Sequence, residues 1–383
     1  MFEWTTPKKK SWWELFSEQP HQLFFTSTLI WSCIIILYSL LIMAIPLEAN
    51  FVLIHGFGTI YGVLVNAFLG FLLTVIPRYT NGTLIKRDDY IPIFALYQIG
   101  LIVTIFFSEH IGKAFVASVL LYSAIVFAQT IYYALNNKQN ESIWLTFLIF
   151  ISSVILFTDI FVGIDLTWYS LWLFVFPLVF VVAQRMVPSF YSVYLQKPLP
   201  QNPSWILAIF VALFFGIGLS HGSNLWITIF SGVLFVALVY FISRLNIYKK
   251  VPPILWILAV GLSWLPIGVF ALFLESFFEI YSLKLSLHIL SLGFVFTLLI
   301  GFGSRVILGH SGQKIEADKI TVALFIATGV IVVTRILASL FFIGEHNMWI
   351  GFTHLSFLLW LVLFVVWGIR YGKTLTKYDA LLK

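Results

Sequence analysis

The sequence predicts an all-α membrane protein built from twelve transmembrane helices. Three observations lead there. Apolar residues make up 61% of the 383 positions and charged residues only 10%, with a mean hydropathy of +1.00; no water-soluble domain of that length could cover its surface with so few charges. Apolar runs of about 20 residues, enough to cross a bilayer, recur along the whole chain. With the N-terminus placed in the cytoplasm, all of the 22 lysines and arginines except Lys113, Lys284 and Arg335 fall on the cytoplasmic side, as the positive-inside bias requires. Both termini are then cytoplasmic, which an even number of spans demands. The net charge of +6 follows from this sorting and is no sign of a nucleic-acid partner. The partner that composition names is the lipid bilayer.

In chain order, residues 1–21 form a cytoplasmic N-terminal segment in which Trp12, Trp13 and Phe16 suit the membrane interface. The segment is too long before the first apolar run, and lacks the small-residue cleavage site, for a secretory signal. A single transmembrane domain covers 22–371, with spans at 22–46, 54–77, 90–108, 112–135, 142–160, 167–188, 203–219, 223–243, 253–274, 286–308, 320–343 and 349–371. Residues 372–383 are a cytoplasmic tail. The links hold the usual breakers: Pro46, Asn81-Gly82, Asn136-Asn137, Pro198 to Pro203, Gly222, Pro252-Pro253 and Gly312. The lone Cys33, inside the first span, can form neither an internal disulfide nor a thiolate metal site and reads as a small apolar side chain.

The most informative stretch is IHGFGTIYGVLVNAFLGFLLTVIPRYTNG, residues 54–82. Gly58, Gly62, Asn66 and Gly70 form one narrow stripe of low bulk on a helix, with His55 at its head. Such a stripe admits a flat group or another helix backbone, and an imidazole above it can ligate a metal. His55, His288 and His354 each lie inside a span, in its outer half, where ionisable groups are costly and usually functional; a histidine hydrogen-bonded within the bundle is the other reading. Arg335, about two turns from the outer end of the eleventh span, requires an anion, and Asp159 at the end of the fifth is one candidate. At the inner side the second, sixth and tenth spans end in similar phrases, VIPRY, QRMVP and GSRVI, placing Arg78, Arg185 and Arg305 one per four spans. Together with His310 these arginines form either headgroup anchors or an anion-binding or proton-access mouth. No nucleotide loop, zinc signature or Ser/His/Asp arrangement is discernible.

Four motifs in order carry a family resemblance: His55 followed by GFLLTVIPRYTNG, QRMVPSFYS at 184–192, LHILSLGFVFTLLIGFGSRVILGHSGQ at 287–313, and LWLVLFVVWGIRYGKTL at 359–375. They resemble the NnrS family and, more distantly, subunit I of haem–copper oxidases. The resemblance implies three pseudo-symmetric groups of four helices and an inner-membrane haem protein associated with nitric oxide and nitrosative stress. It implies haem, with His55 and His288 as axial ligands, His354 as a rival or second-metal ligand, and Arg335 and Lys284 as cations for the propionates. It also implies copper and a redox donor as a further partner. The chain departs from the family at the start of the second span, where NnrS proteins read His-x-His-Glu and this chain reads His55-Gly56-Phe57-Gly58. It also lacks a His-Pro motif in the sixth span and a His-His pair, so oxygen reduction at a copper-bearing centre is not expected, and no reaction is assigned. The alternative is a multi-pass transporter or permease without haem, with Asn66, Gln98, Gln129 and Arg335 along a polar path.

Overall fold

A computed structural model describes residues 10–45, 50–134, 140–163, 165–198, 204–245, 247 and 249–378. Among these the chain is helical throughout, without a strand. A run of apolar side chains in lipid leaves the backbone no outside partner, so each segment closes its own hydrogen bonds as a helix. The helices are α1 Trp12–Phe16, α2 Pro20–Ala44, α3 Val52–Thr80, α4 Arg87–Phe106, α5 Glu109–Tyr133, α6 Asn140–Val162, α7 Thr167–Leu195, α8 Ser204–Leu219, α9 Asn224–Ser243, α10 Pro253–Phe277, α11 Leu285–His310, α12 Lys319–Ile343 and α13 Met348–Thr376.

Eleven of these are long and apolar enough to cross a membrane. The remaining predicted span, 203–219, appears as the 16-residue α8. Large apolar side chains such as Ile30, Leu37 and Leu41 on α2, or Leu96, Ile99 and Ile102 on α4, stand exposed along the outside of the bundle. On a multi-pass membrane protein that surface faces lipid. The predicted breakers Pro46, Asn136-Asn137 and the 199–203 part of the Pro198 to Pro203 link lie outside the described residues, as do residues 1–9 and 379–383.

Three helices differ from the rest in the same way. The first half of α3 (Val52–Leu64), a short stretch of α7 (Leu171–Val175) and the first half of α11 (Ile289–Phe296) are π-helical. In α3 the Val65 N–H reaches back to the Ile60 carbonyl, and in α7 the Phe176 N–H to that of Leu171, five residues earlier in each case. The same three are the most enclosed spans, with 83%, 83% and 67% of their apolar windows buried, against 50% or less for every other span. Every fourth helix therefore lies at the centre of the bundle and carries a widened turn near its N-terminal end. This is the period in which the arginine phrases recur, and it fits three groups of four. π turns inside α-helices cluster at functional sites.

The small-residue stripe of α3 packs against α2. A Cβ on Gly58 would meet the Ile35 side chain at 2.4 Å, one on Gly62 would touch Trp31 at 3.7 Å, and one on Gly70 would meet Phe24 Cβ at 2.7 Å and the His21 backbone at 3.3 Å. Of the two uses open to the stripe, helix approach is the one realised. In the middle of this interface Gln98 of α4 accepts from Ser27 (2.6 Å) and Trp31 (2.9 Å) and donates to Asn66 (2.7 Å), whose own amide donates to the Gly62 carbonyl at 2.7 Å.

α3 ends where Asn81 takes a left-handed φ of 52° and the Gly82 N–H bonds the Pro77 carbonyl at 2.8 Å, so the predicted Asn-Gly stop works as a helix C-cap. α1 is held by a Ser11–Glu14 capping box, and its Trp12 indole donates to the Thr376 carbonyl of α13 at 2.8 Å. The start of the bundle is thereby tied to its last helix.

Candidate functional site

At the end of the bundle where α3 and α11 begin, a cavity of about 360 Å³ opens between α3, α11, α12 and α13. That is within the range of small-molecule and cofactor sites. His55, His288, Arg335 and Lys284 all line it. The structure thus brings together the four residues that the resemblance assigned to haem, His55 and His288 as ligands and Arg335 and Lys284 as cations. His354 does not line it: its Nδ1 lies 2.8 Å from the carbonyl of Ile350, on its own helix, while Thr353, Ser356 and Phe357 form the α13 wall.

His55 lies in the first turn of α3, which Asn50 starts by accepting the Leu53 N–H at 3.1 Å. Its ring stacks on Phe51 (5.2 Å, 20°) and meets the edge of Phe357 (5.3 Å, 72°). Its Nδ1 is buried and finds no hydrogen-bond partner, as do Thr59 Oγ1 and Trp360 Nε1 on neighbouring parts of the wall. Five other buried polar side-chain atoms among the described residues, including Trp172 Nε1 and Tyr79 Oη, also lack a partner, so the cavity wall is not alone in this.

His288 is held differently. Its Nδ1 lies 2.8 Å from the Lys284 carbonyl. A carbonyl only accepts, so Nδ1 carries the proton and Nε2 keeps its lone pair. This is how metal-binding imidazoles are commonly oriented by their outer partners. The carbonyl belongs to a tight turn in which Leu283 and Lys284 both take left-handed φ values, 54° and 60°. Side chains rarely adopt these angles, and the conformation costs about 1–2 kcal/mol per residue. Ser282, which bonds Glu275 and the Leu285 N–H, braces the turn from one side.

Arg335 braces it from the other. It is 8% exposed, and its guanidinium donates to Leu283 O at 2.9 Å and to Ser339 Oγ at 3.1 Å. Asp159, the carboxylate expected as its partner, is instead bound to Lys113 of α5 at 2.8 Å, and Lys113 also holds Glu109 at 2.6 Å. Those two groups lie one helix pair apart and satisfy each other. Among the described residues no carboxylate meets Arg335. A guanidinium within a span costs roughly 2.5–3.5 kcal/mol on insertion scales, and here it remains without a counter-charge beside a cavity.

No group of three or more His, Cys, Asp or Glu side chains converges among the described residues. A copper centre wants two or three nitrogen ligands in one place, so a three-ligand copper site does not fit these residues. Of the residues proposed for a transporter path, Asn66 bonds Gln98 and its own Gly62 carbonyl, Gln98 also bonds Ser27 and Trp31 of α2, and Gln129 is exposed on α5.

At the opposite end the predicted arginines separate. Arg185 pairs with Glu141 at 3.0 Å and stacks on Tyr79. Arg305 lies over Phe190 at 4.0 Å. Arg78 stands exposed without an ion pair among the described residues. His310 meets His21, which sequence reasoning passed over; their ring centroids are 4.5 Å apart. The available signal was that His21, just before the first predicted span, and His310, just after the tenth, fall on the same inner side. Ser291, Thr353 and Ser356 in the cavity wall were also passed over, since isolated hydroxyls within apolar spans give no sign of which face they occupy.

The family model described as NnrS protein matches residues 15–378 of the chain. A search of the curated proteins finds no match.

Proposed function

The chain belongs to the NnrS family, and from that membership we propose that it is an integral membrane haem protein that takes part in the response to nitric oxide and nitrosative stress. The observation that carries the haem reading is the convergence of His55 and His288, from equivalent positions of two central π-widened helices, on one cavity beside an uncompensated Arg335. Haem held by these residues would supply an iron that changes oxidation state. The chain supplies the rest. The Lys284 carbonyl fixes the His288 tautomer and aims its free nitrogen away from its own helix. Phe51 and Phe357 hold the His55 ring between them. Arg335 and Lys284 offer positive charge to carboxylates such as propionates. Apolar walls from Leu292, Phe296 and Trp360 limit water, which strengthens each of these attractions.

The charge bias supports a cell-membrane location with the cavity end facing out and both termini in the cytoplasm. The nitric oxide association rests on the family alone. The test is spectroscopic: protein purified in detergent from haem-replete cells should carry a Soret band at near one haem per chain. Colourless protein under those conditions would sink the haem reading.

A further inference from the structure

The other end of the bundle holds a second cluster, independent of the cavity. His21 is the second residue of α2 and is 5% exposed, with a buried Nδ1 that has no partner. It is wedged against α3 at Gly70 and touches the edge of Phe25 at 5.9 Å. Beside it, at 4.5 Å and tilted by 46°, is the ring of His310, the half-buried last residue of α11. Two further charged groups act on both rings, Arg78 from the end of α3 and Lys377 just past α13. Four basic side chains from four elements thus share one place. None has an ion-pair or hydrogen-bond partner among the described residues, whereas Arg185, Arg370, Lys113, Lys314 and Lys10 each hold a carboxylate.

Rings this close, between a guanidinium and an ammonium, repel a proton on either one unless a negative charge enters. An anion would remove the repulsion. A group with several oxygens suits donors arriving from several directions better than a monatomic anion does. The cluster also lies where the spans end, at headgroup depth. We propose that His21, His310, Arg78 and Lys377 form a phosphate-binding site that takes up a proton on the histidine pair when it is filled. The phosphate is either free in solution or the headgroup of an anionic lipid. Binding here fastens α2, α3, α11 and the segment after α13 together, so occupancy stabilises the bundle at the end away from the cavity.

The experiment uses the full chain in nanodiscs of neutral phosphatidylcholine. Inorganic phosphate is titrated calorimetrically at pH 6, 7 and 8, and melting is compared with nanodiscs containing phosphatidic acid. Inorganic phosphate ionises in the same window, so the pH dependence read is what remains once its own ionisation is subtracted; uptake of one proton by the pair makes that part of the affinity fall about tenfold per pH unit above the histidine range. A pH-dependent response to phosphate identifies the free anion, and a pH-dependent response to phosphatidic acid alone identifies the headgroup; both support the site. His310→Gln, at the half-exposed position, should keep the fold and abolish the pH dependence, and Arg78→Gln should weaken binding at every pH. Affinity that is equal across the pH range, or pH dependence that survives in both His310→Gln and His21→Gln, would overturn the proposal. So would stabilisation by zinc and not by phosphate, which would make the pair a metal site.

Discussion

Arg335 on α12 donates to the carbonyl of Leu283, and the adjacent carbonyl, that of Lys284, receives Nδ1 of His288. One buried guanidinium therefore supports the strained turn that sets the direction of the imidazole. The same side chain lines the cavity and meets no carboxylate among the described residues.

Those two roles separate in Arg335→Leu. Replacing an uncompensated buried charge by an apolar side chain is often neutral or stabilising, so the haem-free protein should melt within a few degrees of wild type. Haem retention should fall about tenfold or more, roughly 1.4 kcal/mol or above, and the midpoint potential of what remains should drop because a nearby cation is gone. Arg335→Lys should lie between, keeping charge without the forked geometry. Collapse of the haem-free protein would instead make Arg335 purely structural.

His55→Ala and His288→Ala should each lose most of the bound haem in purified protein. His354→Ala should join His110→Ala and His221→Ala among the variants with near-normal content, because it does not line the cavity. Haem lost only in His354→Ala would move the ligand to α13.

Lys113→Met should destabilise the protein by about 2 kcal/mol, below the range for fully buried pairs because Glu109 and Asp159 retain some solvent. Adding Asp159→Leu should recover most of that loss. Arg335→Leu and Asp159→Leu should be additive in thermal melts, since the two residues belong to separate networks. Coupling between them would contradict the observed pairing.

Alanine at three glycines should rank in a fixed order. Gly112→Ala should be the worst, because its Cβ would come 2.2 Å from the Thr104 backbone nitrogen of α4. Gly70→Ala, at 2.7 Å from Phe24 Cβ, should cost about 1–3 kcal/mol. Gly62→Ala, with its nearest contact at 3.7 Å, should be close to neutral. Equal melting of the three variants would mean that the α2–α3 and α4–α5 approaches are looser than described.

Orientation is testable with single cysteines in a Cys33→Ser background. Positions 165 and 346 should react with an impermeant maleimide in intact cells, and position 314 only after permeabilisation. Labelling of 314 in intact cells would invert the proposed topology.

The spans, the two aligned histidines and the spacing of Arg78, Arg185 and Arg305 were legible in the sequence because each rests on hydropathy or order along the chain. Which way a side chain points was not. In these helices the lipid face and the core face are both apolar, so periodicity cannot say that His354 turns from the cavity while Phe357 turns toward it. Pairings across the bundle were equally hidden. Asp159 looked available to Arg335 on depth alone, but Lys113 is nearer, and the His21–His310 contact joins residues that flank the first and tenth predicted spans. The π-helical stretches have no local composition that distinguishes them from the α-helical spans around them.

Those stretches make the aim of both histidines a matter of counting. A π turn holds roughly one residue more than an α turn, and each residue of an α-helix rotates the chain by about 100°. Excising one residue between His55 and Leu64 would remove the surplus of one of those turns while the arginine end of α3 stays anchored. His55 would then swing about a quarter of the way round the helix axis, out of the cavity, although no cavity-lining side chain had been altered. Single-residue deletions in the π stretches of α3 and α11 should therefore misdirect the two histidines without touching the cavity wall, and surplus residues in each of three helices are the trace that past insertions in a repeated unit would leave.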